Sequence, residues 1–312
     1  MNDGLGSIGL GPIAAFLSSV TWAIGSANYS KMTRDFRPFD VNFTRALFSL
    51  PLFLLAAFVT TGGWNEGITA FRSMTELQIS WLTLSIFASY AMGDIFFFMS
   101  TVALGVPGAL AIASGFPVLT AIVGAVVDQQ MPSTAQWIGL VLSVSGMIIV
   151  ILNDPKGVTK AGTEVKSHPW LKKKSVGVTL AVLCALSWGT NGYSIAKLGT
   201  GLNPAVANSY RMALALILIA IISQITTRTR VKPLSFPAIK RYGWVFVVES
   251  FLGAYLFVYG LSHSSILLGS TLSSLAPVLT VPIAVALKLE QFSWVRTAAI
   301  VTVVVGLSLL FR

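Results

Sequence analysis

Charged side chains are scarce in this sequence, and their scarcity decides its class. Only 10% of the 312 residues are charged, whereas a soluble domain carries about 25% charged residues. Hydrophobic residues make up 54% of the chain, and the mean hydropathy is +0.79. This composition excludes an ordinary soluble domain and predicts a membrane protein that is in contact with lipid.

Cysteine and histidine are also nearly absent. The one cysteine, Cys184, excludes an internal disulfide. The two histidines, His168 and His263, lie in different connections, so we expect neither a metal cluster nor a Ser-His catalytic pair. Three glycines within 4–9 have the spacing of a dinucleotide fingerprint, but no strand precedes them. The sequence therefore predicts no metal and no cofactor.

A proteolytic site would lack its second acid. Gly93-Asp94 is close to the motif of intramembrane aspartyl proteases, whose chemistry needs two carboxylates that share a proton. No second aspartate lies inside an apolar segment. We therefore expect no enzymatic activity, and an intramembrane enzyme or a membrane scaffold remains the alternative from another class.

Long apolar runs are what the sequence has in abundance. A helix needs about 20 residues to cross roughly 30 Å of hydrocarbon. The sequence predicts an all-α membrane protein with ten such transmembrane helices, at about 9–30, 40–60, 80–103, 106–127, 134–152, 175–196, 203–225, 243–261, 265–286 and 294–311.

Basic residues are unevenly distributed among the connections, within a net charge of +10. Sixteen Lys and Arg residues follow segments one, five, seven and nine, and only three lie at the opposite ends. Cytoplasmic connections of membrane proteins are rich in Lys and Arg. We therefore expect a cell (inner) membrane protein with both termini outside the cytoplasm, and no nucleic-acid partner.

A residue pattern of the first segment recurs in the sixth. Trp22 and Lys31 are answered by Trp188 and Lys197 at the same offset of 166. The match continues without a gap into the next segment, where it pairs Pro38 with Pro204, Asn42 with Asn208 and Arg45 with Arg211. Such internal similarity indicates that one structural unit is used twice.

Later segments repeat as well, with an offset of 160. FPVLT at 116–120 is answered by APVLT at 276–280. The chain is therefore predicted to consist of two five-helix units, 1–160 and 170–312. Because five is odd, the second unit enters the membrane inverted relative to the first, as in many transporters.

Together these doubled features resemble the drug/metabolite transporter superfamily, in its ten-helix form with two EamA domains. The resemblance rests on the Trp and Lys of segments one and six, the Pro and Arg that follow, and the Pro-Val-Leu of segments four and nine. It implies export or exchange of small metabolites by alternating access. Neither segment one nor segment six carries an acid, so the mechanism of the related multidrug exporters, which use a Glu there, is not implied.

Four ionisable residues lie well inside the segments: Arg45, Asp94, Arg211 and Glu249. Each costs roughly 2.5 to 3.5 kcal/mol near a helix centre, so such residues usually pair or line a wet cavity. The arginines are expected either to anchor the fold or to contact an anionic substrate group. The acids have no acidic repeat mates, which favours a role in substrate binding or ion coupling over shared architecture, with a buried ion pair as the alternative.

Two more specific expectations concern these residues. Arg45 and Asp94 lie at similar depths and are predicted to pair, because an arginine side chain can span the difference. Glu249 is the acid expected to exchange a proton during transport.

Aromatic residues are expected to line the substrate site. Trp22 and Tyr29 share one face of segment one, and Trp188 and Asn191 share the matching face of segment six. Tyr90 lies one turn before Asp94 in segment three. Packing against lipid or protein is the alternative, but aromatic surface beside isolated polar groups also lines small-molecule pockets.

Prolines interrupt segments four and nine at equivalent positions. Pro117 and Pro277 each remove a backbone hydrogen bond and permit a bend. The bends are interpreted either as static kinks or as hinges of a moving helix.

The sequence thus favours a secondary transporter with one site between two inverted halves. Small metabolites are the expected substrates, with amino acids or related compounds first, and membrane lipid is the other expected partner. Exchange of phosphate esters or nucleotide sugars is the alternative if basic side chains reach the cavity.

The charge asymmetry generates a test of orientation. Single cysteines at Ser7 and Thr159, in a Cys184→Ser background, should react differently with a membrane-impermeant thiol reagent on intact cells. The cysteine at position 7 is expected to react and that at position 159 is not, since the sixteen basic residues place 159 in the cytoplasm. The opposite labelling pattern would invert the predicted orientation.

Overall fold

A computed structural model describes residues 9–129, 131–153, 169–276, 278–279 and 293–310, and these residues are helical without any strand. The first half contains α1 (Leu10–Asp35), α2 (Pro38–Thr61), α3 (Trp64–Arg72), α4 (Glu76–Ile86), α5 (Asp94–Ala113), α6 (Phe116–Val127) and α7 (Thr134–Leu152). The second half contains α8 (Lys174–Ala196), α9 (Pro204–Thr227), α10 (Phe236–Val245), α11 (Ala254–Ser262), α12 (Ile266–Ser273) and α13 (Trp294–Leu310).

Several of these helices have the length and composition of membrane spans. Within the described residues five qualify, at Pro38–Thr61, Glu76–Leu104, Thr134–Leu152, Pro204–Thr227 and Phe236–Ser262. Shorter apolar helices include Leu10–Gly25, Phe116–Val127 and Trp294–Leu310. The membrane class predicted from composition therefore agrees with the helices, whereas the full number of ten spans stays a prediction.

Two π-helical segments interrupt equivalent helices in the two halves. Phe87–Gly93 joins α4 to α5, and Phe246–Gly253 joins α10 to α11. A π-helical turn holds an extra residue, which widens the helix and frequently marks a functional site. Both segments contribute side chains to the buried site described below.

The fourth predicted segment is broken at a proline. The sequence predicted a connection near residues 104 and 105, but α5 continues through these residues and ends only at Ala113. The helix then restarts at Phe116, with Pro117 in its first turn. The ring of a proline clashes with the carbonyl four residues earlier, here Ala113, so the preceding helix ends there. In the second half α12 likewise ends at Ser273, four residues before Pro277, which itself lies outside the described residues.

In the packing between the halves, a helix contacts either its own repeat mate or the mate of a helix that packs on its own mate. α1 packs against α11, and its repeat mate α8 packs against α5, which contains the mate of α11. α2 packs against its own mate α9, and α7 against its own mate α13. Packing of this kind is what a pseudo-two-fold axis between two repeats produces.

One basic residue counted among the connections lies inside a helix. Arg296 belongs to the first turn of α13 and is only 1% exposed. Its charge therefore does not contribute to the basic surface of a connection, although the other connections keep the same asymmetry.

The contact between α7 and α13 depends on the absence of side chains at two repeat mates. A Cβ on Gly306 would lie 2.5 Å from the Ser143 Oγ and 2.6 Å from the Gly139 carbonyl oxygen. A Cβ on Gly146 would lie 2.6 Å from the Val303 side chain. Small residues let membrane helices approach closely, and such approach is their main source of packing energy.

Gly306→Ala is therefore expected to lower the melting temperature of the purified protein, because overpacking typically costs about 1–3 kcal/mol. Gly124→Ala is the matched control, since a Cβ there would meet nothing closer than 3.9 Å. Thermal unfolding in detergent measures both variants. Equal melting temperatures for the two would contradict the close α7–α13 contact.

Candidate functional site

A buried arginine near the start of α2 holds two acids. Arg45 is 2% exposed. Its Nη1 donates to the Asp94 Oδ2 at 3.3 Å, and its Nη2 donates to the Glu249 Oε1 and Oε2 at 3.2 and 3.1 Å. The structure thus brings together Arg45 and Asp94, which were predicted to pair, and adds Glu249 from the other half.

The other groups around Arg45 complete its hydrogen bonding. Nε donates to the Ser250 Oγ at 3.3 Å, and Nη1 also donates to the Asn42 Oδ1 at 2.8 Å. The guanidinium lies over the rings of Tyr29 and Tyr90, at 4.3 and 4.7 Å from their centroids. Cation–π contacts of this kind strengthen when they are desolvated. Arg45 is therefore surrounded by acceptors from both halves and by two aromatic faces from the first half.

The two acids have further donors. The hydroxyl of Tyr29 donates to the Glu249 carboxylate, and the Ser250 hydroxyl donates to the same carboxylate at 2.9 Å. The indole Nε1 of Trp188 donates to the Asp94 Oδ1 at 3.3 Å. With both acids ionised, one guanidinium serves two carboxylates, and the cluster carries a formal charge of −1.

Two glycines provide the space for this cluster. A Cβ on Gly25 would lie 2.4 Å from the Glu249 Cγ, so the acid fits only against a bare helix backbone. A Cβ on Gly93 would lie 2.5 Å from the Trp188 Cδ1. The backbone of α1 at Gly25 thus makes room for Glu249, and the π-helical segment at Gly93 makes room for Trp188.

Arg211, the repeat mate of Arg45, has a different environment. It is 3% exposed, and its Nη1 donates to the Asn208 Oδ1 at 2.9 Å. Nη2 donates to the Asn191 Oδ1 at 3.2 Å and to the Ser89 Oγ at 3.5 Å. In the described part of the chain, no carboxylate forms an ion pair with Arg211, and its Nε has no hydrogen-bond partner.

The repeat explains this difference residue by residue. Ser89 is the mate of Glu249, so each arginine meets the equivalent position of the other half, with an acid on one side and a hydroxyl on the other. Asn191 is the mate of Gly25, so the small Gly25 lies against the large acid, whereas the larger amide and the small Ser89 both accept from the Arg211 Nη2. Gly25 is smaller than its mate Asn191, and Glu249 is larger than its mate Ser89, so the differences in size compensate. The carboxylate of Glu249 has no counterpart at Ser89.

The predicted aromatic wall is assembled from both halves. Trp22 and Trp188 contact each other edge to face, with ring centroids 6.1 Å apart. Trp22 also lies 6.4 Å from Tyr29, and Trp188 lies 5.5 Å from Phe97. Both tryptophans remain partly exposed, whereas Tyr29 is 3% exposed. The matching faces of α1 and α8 therefore meet beside the Arg45 cluster.

The predicted hinge touches the edge of this wall. Phe116, which precedes Pro117, packs edge to face on Trp188 at a centroid distance of 6.4 Å. The Thr120 hydroxyl donates to the Gly189 carbonyl at 3.2 Å. The broken helix is thus in contact with α8 at the level of the wall, and its motion stays a prediction.

Polar partners of the arginines were not assigned from the sequence. Asn42 and Asn208 each lie one helical turn before an arginine, and this doubled Asn-x-x-Arg spacing was a usable signal. Ser89 and Ser250 carried no such signal, because single serines are common in membrane helices and bond locally.

The unequal neutralisation of the two arginines generates a stability prediction. Arg45→Gln is expected to cost about 3–5 kcal/mol, because it leaves two buried carboxylates without their cation. Asp94→Asn should cost much less and should reduce the cost of Arg45→Gln when the two are combined, since one uncompensated charge is then removed.

Arg211→Gln is the matched control, because it removes the repeat mate that has no ion pair among the described residues. Melting temperatures of the four proteins in detergent provide the comparison. An Arg45→Gln variant as stable as Arg211→Gln, or strictly additive effects in the double variant, would contradict the shared ion network.

Comparison with known proteins adds the family to this geometry. The EamA-like transporter family matches residues 9–152 and 175–312. An uncharacterized transporter of Archaeoglobus fulgidus is 24% identical over 302 residues, which cover 96% of each protein. A solved crystal structure with 18% identity superposes with a TM-score of 0.69 over 96% of this chain and 95% of that chain, so the fold is shared. The chain belongs to the EamA-like transporter family.

Proposed function

We propose that the protein is a secondary transporter that moves small metabolites across the membrane by alternating access, with amino acids or related compounds as the first candidates. The observation that carries this proposal is the position of the buried site. Its aromatic wall and its ion network are each built from both repeats, at the contact of α1 with α8 and of Arg45 with Glu249. A site between repeats is where transporters of this design bind their substrates.

The repeats supply the moving parts of the proposed cycle. The two halves lie inverted in the cell (inner) membrane with both termini outside the cytoplasm, and they rock about the α2–α9 contact on the pseudo-two-fold axis. The break between α5 and α6 and the two π-helical segments leave backbone groups that can change partners at the site.

Proton coupling follows from the charge of the Arg45 cluster. Two buried carboxylates share one guanidinium, so a proton bound by one acid would leave the guanidinium paired with the other. Glu249 is the proposed coupling acid, because it comes from the second half and is held by Tyr29 and Ser250. Opening of the contact between the halves separates it from Arg45 and exposes it to protonation.

Exchange of phosphate esters or nucleotide sugars is less favoured. That alternative requires several free cations at the site, but Arg45 is neutralised by two acids. Lys197 binds the Asp128 Oδ1 at 2.7 Å at the ends of α8 and α6. Arg211 alone among these three lacks a carboxylate in the described residues, which suits a single anionic group better than a di-anionic phosphate.

An enzyme or a scaffold is the contrasting class. Asp94 and Glu249 do not share a proton with each other across a substrate, because Arg45 lies between them. A flux screen of small metabolites in proteoliposomes, with and without a pH gradient, tests transport directly. Flux of no solute in either condition would overturn the proposed function.

Trp188→Ala and Asn191→Ala are expected to raise the KM of the transported solute, because Trp188 forms the wall and Asn191 lies one turn further on the same face. Loss of an aromatic contact of this kind costs roughly 0.5–1.5 kcal/mol, or about 2- to 13-fold in affinity. Trp244→Ala is the control, because that exposed tryptophan is on α10 away from the wall. An unchanged KM in both α8 variants would remove the proposed site.

Glu249→Gln is expected to retain solute exchange but to lose accumulation driven by a pH gradient, since the glutamine cannot release a proton. Glu76→Gln, at the exposed start of α4, is the control and should accumulate solute normally. Undiminished pH-driven accumulation by Glu249→Gln would exclude this residue as the coupling acid while leaving transport itself intact.

A further inference from the structure

Arg211 is the buried cation that the Arg45 cluster does not use. It is 3% exposed, and in the described residues only the amide oxygens of Asn208 and Asn191 and the Ser89 hydroxyl accept from it. Its Nε is buried without an acceptor there. A buried charge without a charged partner destabilises a protein by several kcal/mol. The described neighbours of Arg211 therefore leave its charge incompletely compensated.

Two donors of Arg211 are arranged as a pair that can bind a carboxylate. Carboxylates bind arginine through two parallel N–H groups, and Nε with Nη2 is one such pair. Nε is unpartnered in the described residues, and Nη2 donates to the neutral oxygens of Asn191 at 3.2 Å and, more weakly, of Ser89 at 3.5 Å. A carboxylate that displaces these two neutral acceptors satisfies both donors at once.

The repeat shows what the missing group is. At the equivalent place beside Arg45, Nη2 binds both oxygens of the Glu249 carboxylate at 3.2 and 3.1 Å. Ser89 is the residue at the position of Glu249, and it offers Arg211 a hydroxyl instead of a carboxylate. The second arginine therefore lacks the carboxylate that the equivalent position of the other half supplies to the first.

The position of Asn191 gives this carboxylate a route to Arg211. Asn191 lies one turn beyond Trp188 on α8, and its Oδ1 accepts from Ser85 as well as from Arg211. If this one amide rotates away, the Arg211 guanidinium becomes reachable from the face of α8 that carries the aromatic wall. A ligand bound against the wall that Trp22 and Trp188 form can then extend a carboxylate toward Nε.

The acids of the Arg45 cluster do not replace this partner. Their excess charge of −1 balances Arg211 in the formal sum, but both carboxylates are bound to Arg45 and to their own donors. Attraction at a distance lowers the electrostatic cost of Arg211 without supplying an acceptor for Nε, and an unmade hydrogen bond keeps its own cost.

We propose that Arg211 is the subsite for a carboxylate of the transported molecule, which is therefore a monocarboxylic metabolite such as an amino acid and not an amine or a neutral compound. This inference rests on the proposed transport function and specifies its substrate class. The bound carboxylate occupies at Arg211 the place that Glu249 occupies at Arg45.

The test compares acids with their amides in proteoliposomes. The probes are the common L-amino acids and lactate, each paired with its carboxamide, which keeps the shape and loses the charge. The intact protein should carry at least one acid with a KM about 10- to 100-fold below that of its amide, as expected for loss of a hydrogen-bonded charge. Arg211→Gln should raise the KM of the acid by a similar factor and leave that of the amide unchanged. Arg72→Gln, on the exposed end of α3, is the control.

A second variant keeps the test decisive if Arg211→Gln does not fold. Ser89→Glu with Asn191→Gly gives each of these positions the residue of its repeat mate, Glu249 and Gly25, and supplies Arg211 with an internal carboxylate. It should raise the melting temperature and abolish transport of the acid.

The outcomes distinguish failure of the carboxylate subsite from failure of the transport function. Equal KM values for acid and amide, or an acid KM unchanged within twofold in the variants that fold, would overturn the carboxylate subsite and leave transport standing. Flux restricted to amides would do the same. Absence of flux for every probe and for the metabolites of the wider screen would overturn the transport function and this inference together.

Discussion

One guanidinium shared by two carboxylates is the interaction on which the centre of this structure depends. Arg45, Asp94 and Glu249 come from three different helical segments, and the two acids come from different repeats. Away from water, none of these charges is tolerable alone. The helices that carry them must therefore stay together for as long as all three are ionised. The aromatic rings, the π-helical turns and the bare backbone at Gly25 serve this arrangement by excluding water and making room.

The same interaction explains why the site could be located from the sequence but not described. An ionisable residue in an apolar segment stands out, so Arg45, Asp94, Arg211 and Glu249 were all found. Repeat offsets then indicated which helix faces meet. Which acid binds which arginine was only half predicted, because depth along a helix is readable from residue number, whereas the rotation of a helix and the packing of the second half are not.

The fold was predictable to a similar degree. Hydropathy and the doubled motifs gave helices, repeats and their mates, because these depend on local composition. The end of α5 was misplaced, since the apolar stretch was divided into runs of about 20 residues, whereas the helix ends where the ring of Pro117 would meet the Ala113 carbonyl. The π-helical segments had no sequence signal, because an inserted residue in a helix is stabilised by tertiary contacts and leaves composition unchanged.

Gly25 differs from its mate Asn191 in size, and Glu249 differs from its mate Ser89 in both size and charge. These differences have an energetic consequence. In a protein made of two identical inverted repeats, the form open to one side and the form open to the other would be related by symmetry and equal in free energy. Each difference between mates removes this degeneracy, and a charged difference removes it most strongly. In the proposed transport cycle the two open forms are therefore expected to differ in free energy, and the difference is expected to depend on residues of the candidate site.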